Sequence, residues 1–156
     1  MKKIILAMLL VVMLLALTSC SKKMTLDGYV EVTIEKAYCA KSLSSNRMSY
    51  YARSGYTYVV VEMDMTNLSS RDNCFRDMLD ARLKSSEDDI GAFGTIATLT
   101  DSEDLSDGLV VSSGETRRVY CLFQIPEDSA YETRTLELMP SNRTSPIVTA
   151  KIKPQK

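Results

Sequence analysis

Apolar and polar side chains alternate with a period of two along much of this chain. The clearest case is the segment Tyr56–Asn67, in which Val59, Val61, Met63 and Met65 fall on one face. Val60 falls on the other face, together with polar and acidic residues. Such alternation is typical of a β-strand that buries one face, so the segment is predicted to be a strand with its four-residue apolar face in the core.

Similar patterns, bounded by turn residues, predict six further strands. They are Tyr29–Tyr38, Leu79–Lys84, Ile90–Phe93, Thr116–Ile125, Thr133–Met139 and Pro146–Ile152. The residues before Leu79 also fit a helical stripe, so a short helical turn within Arg71–Met78 is an alternative there. The stretch Ala40–Gly55 is rich in Ser, Asn and Arg and is predicted to be a long loop.

About seven short strands without a long helix predict an all-β protein. The expected fold is an immunoglobulin-like antiparallel β-sandwich. Antibody domains carry a tryptophan in the core, and this chain contains none. The prediction therefore concerns the architecture alone.

The first 19 residues have the layout of a secretory signal peptide. Lys2 and Lys3 precede an almost unbroken apolar run, Ile4–Leu17, and small residues follow it. The run is about 14 residues long, whereas a membrane-spanning helix needs roughly 20. We therefore expect a cleaved signal peptide at 1–19, a lipidated cysteine with a short tether at 20–27, and one β-sandwich domain at 28–153.

Cys20, directly behind this leader, changes the prediction from secretion to membrane attachment. Leu17-Thr18-Ser19-Cys20 resembles a bacterial lipobox, in which the cysteine is acylated and becomes the mature N-terminus. The resemblance implies a palmitate-type lipid anchor at Cys20. It also implies an extracytoplasmic location, at the cell surface or the periplasmic face of a bacterial membrane. A plain signal peptide with an incidental cysteine is the alternative.

Two longer stretches resemble a bacterial family. Gly55–Asp72 has a valine-rich strand that ends in Asn and small polar residues. Ser112–Leu138 has a Gly-Glu turn, a strand ending in Phe-x-Ile-Pro and a strand ending in Leu-x-Leu. Both resemble the signatures of a bacterial immunoglobulin-like lipoprotein domain of unknown function, similar to a mycobacterial immunoprotective extracellular antigen. The resemblance implies a fold and a location, but no active site.

Composition excludes several functional classes. Loss of the two lysines in the leader lowers the formal charge from −1 to −3, whereas nucleic-acid binding calls for a concentrated basic face. The chain has no histidine, so histidine-based catalytic triads and zinc sites are excluded. We expect no enzyme activity, metal, cofactor or nucleic-acid partner. The acidic stretch Asp101–Asp107 lacks the spacing of a calcium loop and is interpreted as a solvated loop.

The mature chain keeps three further cysteines, Cys39, Cys74 and Cys121. A disulfide is permitted outside the cytoplasm, and three cysteines allow at most one internal pair. The spacing does not select among the three pairs, so the sequence leaves the pairing open.

One cluster of aromatic and basic residues is a candidate binding edge. It consists of Arg47, Tyr50, Tyr51, Arg53 and Tyr56, in and beside the predicted long loop. Tyrosine and arginine are the residue types that most often anchor recognition surfaces. The alternative is that Tyr50 and Tyr51 begin a strand and pack on the sandwich.

The leading functional hypothesis is a membrane-anchored, non-catalytic binding or adaptor module. Its partners would be the membrane, through the lipid at Cys20, and an envelope protein or other envelope component. Two alternatives belong to other classes. One is a structural accessory subunit of an envelope complex, and the other is an exported protease inhibitor whose inhibitory loop is Lys41–Tyr51.

Overall fold

The computed structural model describes residues 23–44, 49–86, 88–98, 110–141 and 148–155. The predicted signal peptide, Cys20, Arg47 and the acidic stretch Asp101–Asp107 lie outside these described residues. Within the described ranges, no helix is both long enough and apolar enough to cross a bilayer.

The described residues form an antiparallel β-sandwich, which confirms the predicted fold class. The strands of the first sheet are, in spatial order, β1 (Lys23–Leu26), β2 (Val30–Ala40), β5 (Tyr56–Asn67), β11 (Thr116–Pro126) and β9 (Thr95–Ala97). Those of the second sheet are β13 (Val148–Ile152), β12 (Arg134–Met139), β7 (Asp80–Lys84) and β8 (Ala92–Phe93). Smaller elements are the pair β3 (Ser42–Ser44) and β4 (Ser49–Tyr51), the pair β6 (Asn73–Cys74) and β10 (Val110–Val111), the helical turn α1 (Phe75–Met78) and the 3₁₀ turn Glu127–Ser129.

The main core lies between the inner faces of the two sheets. The apolar face predicted for β5 is confirmed, because its four apolar side chains are fully buried there. Phe123 of β11 and Leu136 of β12 are also fully buried in this cluster. Phe75 of α1 closes the core beside them. Burial of each such side chain contributes roughly 1.5–3 kcal/mol.

Each of the seven predicted strands corresponds to a strand of the structure. The ambiguous stretch before Lys84 contains both alternatives, because α1 is followed directly by β7. The sequence pattern missed six short strands, β1, β3, β4, β6, β9 and β10, which have two to four residues each. Such short runs give too few alternating positions for a periodic signal.

The predicted boundary of the domain at Gly28 is wrong. β1 lies within the predicted tether, yet it pairs antiparallel with β2 and buries Met24 and Leu26. At the other end, the Gln155 N–H donates to the Ala37 carbonyl over 2.9 Å. The β-sandwich therefore includes residues on both sides of the predicted bounds, from Lys23 at one end to Gln155 at the other.

A β-bulge divides β2 into two halves. The register with β5 shifts between Ile34 and Lys36. Ile34 packs against the main core, but Lys36 and Tyr38 lie on the outer face, and Ala37 takes the inner position. A single extra residue moves every following side chain to the opposite face. The alternation predicted for the strand Tyr29–Tyr38 therefore describes its first half, and the bulge changes the faces of the residues after it.

All three body cysteines are free thiols. Cys39 lies opposite Val59 and Cys121 lies opposite Val61 on the far side of β5. Two strand spacings separate their backbones by roughly 10 Å, whereas a disulfide needs Cα atoms within about 7 Å. Burial raises the pKa of Cys121 to about 12. Cys121 is therefore an inert core residue.

Candidate recognition surface

The outer face of the first sheet carries a second apolar cluster. Tyr58, Val60, Ala97 and Leu122 are buried there, on the side of the sheet that faces away from the second sheet. The strand register explains the cluster, because Tyr38, Val60 and Leu122 lie side by side on β2, β5 and β11. A solvent-facing sheet surface would leave these residues exposed, so another element must cover them.

The β3–β4 hairpin is that cover. Leu43 and Tyr50 are cross-strand partners in the hairpin, and both pack against the outer cluster. The hydroxyl of Tyr58 donates to the Tyr51 carbonyl over 3.2 Å and ties β4 to the sheet. The predicted long loop at Ala40–Gly55 is therefore wrong in part, since it contains a hairpin that lies on the sheet.

Tyrosine is concentrated on this side of the protein. The chain has eight tyrosines, and six belong to the outer face or to the hairpin segment. These six are Tyr38, Tyr50, Tyr51, Tyr56, Tyr58 and Tyr120. We call this set, together with Arg53, the outer tyrosine face.

The structure divides the predicted binding residues into two groups. Tyr50 is half-buried against the sheet, which matches the packing alternative. Tyr51 is 71% exposed and Tyr56 is 37% exposed, so their rings remain available to a partner. Arg53 is also exposed. Arg47 lies outside the described residues, so its predicted role is not tested.

A tight turn holds Arg53 and Tyr56 together. The Tyr56 N–H donates to the Arg53 carbonyl over 3.0 Å, and Gly55 has a φ of 77°, which favours glycine. The guanidinium carbon of Arg53 lies 5.5 Å from the centre of the Tyr56 ring, within cation–π range. The Arg53 Nε–H also donates to the Gln124 side-chain oxygen over 3.1 Å. The side chains of Arg53 and Tyr56 are therefore pre-organised in the free protein.

A charged network, which sequence reasoning missed, lies beside the tyrosines on the same face. Its members are Lys36, Glu62, Asp64 and Arg118, from β2, β5 and β11. Glu62 is only 6% exposed. One of its carboxylate oxygens lies 3.0 Å from Lys36 Nζ, and the other accepts from Arg118. Arg118 also donates to Asp64, and the distance from Arg118 Nη2 to Asp64 Oδ2 is 3.0 Å.

The electrostatics of this network favour its charged forms. The hydrogen bond and charge of Glu62 raise the pKa of Lys36. Hydrogen bonds to Asp64 and Glu62 raise the pKa of Arg118 despite some burial. Burial raises the pKa of Tyr38 and Tyr120, and the nearby Glu62 carboxylate raises both further. Both tyrosines therefore keep their hydroxyl protons near neutral pH and can donate hydrogen bonds.

A cleft lies beside the hairpin, between the edges of the two sheets. Its volume is about 320 Å³, and its lining includes Tyr50, Asp80, Gly94 and Thr95. Gly94 approaches the main core closely, because a Cβ there would lie 2.8 Å from the Phe123 ring. The volume is at the lower end of the range for small-molecule sites.

The titratable groups of the described residues do not converge on a metal site. No group of three or more potential ligands occurs among these residues. Asp89 instead holds its own turn, accepting from the Ser85 N–H, the Ser85 hydroxyl and the Gly91 N–H. These bonds lower the pKa of Asp89 to about 2.

Comparisons with known proteins support the fold. No family model matches the chain, and no curated protein matches it. A β-sandwich protein of uncharacterized function from Clostridium difficile is 17% identical with a TM-score of 0.62, covering 85% of this chain and 89% of that one. A conserved hypothetical protein from Bacillus anthracis is 16% identical with a TM-score of 0.55, covering 85% and 93%. The shared feature is the β-sandwich. A functionally unknown protein from Listeria monocytogenes, 14% identical with a TM-score of 0.50, covers 87% and 83%.

Proposed function

We propose that this protein is a membrane-anchored extracytoplasmic lipoprotein whose β-sandwich is a non-catalytic binding or adaptor module. The proposal includes acylation at Cys20 and membership of the bacterial immunoglobulin-like lipoprotein domain family. Its binding surface is the outer tyrosine face. The observation that carries the binding role is the placement of six of eight tyrosines on one side of the domain.

The physical support is the pre-organisation of the exposed residues. Tyr51 extends from the β3–β4 hairpin, and Tyr50 packs the underside of this hairpin against the sheet. Arg53 is held by its hydrogen bond to Gln124 and by its cation–π contact with the Tyr56 ring. Large flat side chains that are already ordered lose little rotamer freedom on binding. Arginine adds directed hydrogen bonds to carboxylate or phosphate groups. The best-matched partner is a protein or envelope component with acidic groups beside an apolar patch.

The binding role is tested by affinity capture from bacterial envelope extract, with quantification by mass spectrometry. Tyr51→Ala and Arg53→Ala should each deplete the captured partner relative to wild type. A hot-spot loss of about 2 kcal/mol corresponds to roughly thirtyfold weaker binding. The control is Tyr131→Ala, which removes an exposed tyrosine, 42% exposed, that does not belong to the outer tyrosine face. Capture that is unchanged by both test variants, in proteins that melt like wild type, would exclude this surface.

The anchor is tested separately by the intact mass of the mature protein. We expect an N-terminal Cys20 that carries acyl chains, and Cys20→Ser should abolish the added mass. Wild-type protein without that mass would contradict the lipoprotein assignment, whatever the capture experiment shows.

A further inference from the structure

We propose that one edge of the sandwich faces an anionic lipid bilayer and sets the orientation of the domain on the membrane. This edge consists of β1, β13 and the C-terminal segment to Gln155, and we call it the basal edge. The inference rests on the proposed acylation of Cys20. To that proposed function it adds the surface of the domain that faces the bilayer, and the attraction between lysine side chains and anionic headgroups that would hold it there.

The length of chain before β1 limits the distance between domain and bilayer. β1 begins at Lys23, three residues after Cys20. Three extended residues span at most about 10–11 Å, close to the electrostatic screening length of about 8 Å at physiological salt. A lipid on Cys20 would therefore keep β1 within reach of the headgroups.

The two ends of the described chain meet at this edge. β1 and β13 are edge strands of different sheets, and they lie against each other across the sandwich. Beyond β13 the chain crosses to the first sheet, where the Cys39 N–H donates to the Gln155 carbonyl over 3.3 Å. β1 and Gln155 thus occupy successive stretches of the same edge of β2.

Lysine side chains flank the basal edge. Lys23 is exposed on β1 and Lys151 is exposed on β13, and Lys153 is exposed directly after β13. Lys23 pairs with Glu31 at 2.9 Å, but its side chain is 71% exposed, so water screens that pair. Lys151 donates to a neutral partner, the Thr135 hydroxyl, over 2.7 Å. Lys22 precedes this set in the sequence.

The basal lysines contrast with the net charge of the chain. The chain without its leader has a formal charge of −3 when Cys20 is the first residue, as the loss of Lys2 and Lys3 from the total of −1 requires. An anionic bilayer would repel that net charge but attract the basal lysines, so the domain should turn its basal edge towards the headgroups.

The test is amine footprinting of the full acylated protein, reconstituted into vesicles and read by mass spectrometry. The vesicles contain either phosphatidylcholine alone or phosphatidylcholine with phosphatidylglycerol. Attraction to an anionic membrane is worth about 1 kcal/mol for each lysine near its surface, which shifts the equilibrium between the membrane-bound and free positions of that side chain about fivefold. We therefore expect Lys23, Lys151 and Lys153 to be modified at least about fivefold more slowly in the anionic vesicles. Lys41, which is exposed near the hairpin, should label at equal rates in both.

Charge reversal supplies the second measurement. Lys151→Glu combined with Lys153→Glu should remove the protection of Lys23, whereas the control Lys41→Glu should leave it unchanged. Equal labelling of the three basal lysines in both vesicle types would overturn the inference, as would protection of Lys41 in their place. The intact mass is measured on the same sample. An acylated protein with an unprotected edge contradicts only the orientation, whereas a protein without acyl chains contradicts the proposed function as well.

Discussion

The covered outer face makes one substitution decisive, Val60→Ala. Val60 and Val61 are adjacent in β5, they are the same residue type, and both are fully buried. The alternating pattern places only Val61 in the core, so the pattern alone predicts that Val60→Ala lowers the unfolding free energy very little. The structure instead places Val60 between Tyr38 and Leu122 beneath the hairpin.

The magnitude follows from the groups that are removed. Valine to alanine deletes two buried methyl groups, worth about 1.6 kcal/mol at roughly 0.8 kcal/mol each. The cavity that remains brings the expected loss of unfolding free energy to about 2–3 kcal/mol at either position. Val60→Thr keeps the shape but buries a hydroxyl, which adds roughly 1–3 kcal/mol unless that hydroxyl finds a partner.

Urea unfolding measures these differences directly. A loss of about 2–3 kcal/mol should lower the midpoint by about 1 M for a typical urea dependence of about 2 kcal/mol per molar. Val60→Ala and Val61→Ala should shift the midpoint by similar amounts. If Val60→Ala stays within about 0.5 kcal/mol of wild type, as exposed substitutions do, while Val61→Ala loses its full amount, the hairpin does not cover this face.

Two further predictions concern charged side chains. Glu62→Gln should lower the unfolding free energy by about 1–2 kcal/mol, because it removes a buried carboxylate from Lys36 and Arg118, both of which keep access to solvent. Glu35→Gln, at an exposed position on the neighbouring strand, is the urea-unfolding control and should be nearly neutral. The pKa of Asp89 is lowered from 3.8 to about 2, so its contribution is present above pH 3.8 and is lost as the pH falls towards 2. Asp89→Asn should flatten the pH dependence of the melting temperature in that window, and an unchanged slope would contradict the assignment.

The main strands could be predicted because their alternation is long. β5 and β11 have 12 and 11 residues, and each offers several inward positions with a single pattern. β1 and β4 have four and three residues, so their pairing depends on the edge that they meet. The bulge at Glu35 was not predicted either: the alternation that places Val32 and Ile34 inward would place Lys36 inward as well, and only the register shift turns it outward.

The candidate site was predicted only where one local segment supplies it. Tyr51, Arg53 and Tyr56 lie close in sequence, and a turn keeps them close in space. The charged network joins three strands that are distant in sequence, and its existence depends on the pairing register of β2 and β11 with β5. In the sequence alone, Glu62 and Asp64 are simply outward-facing residues of a strand. Only the register shows that Lys36 and Arg118 lie beside them.

The two faces of β5 connect the stability of the domain to the proposed binding surface. Val60 supports Tyr50, Tyr50 holds the hairpin on the sheet, and the hairpin presents Tyr51. The hydroxyl of Tyr58 reaches the backbone of Tyr51 from the same layer. Because an ordered aromatic side chain binds with a smaller entropy cost than a mobile one, loosening this layer should weaken a partner that never contacts it. Val60→Ala should therefore lower affinity at the outer tyrosine face even where the domain stays folded, whereas Val61→Ala, which acts on the opposite side of the strand, should lower stability alone.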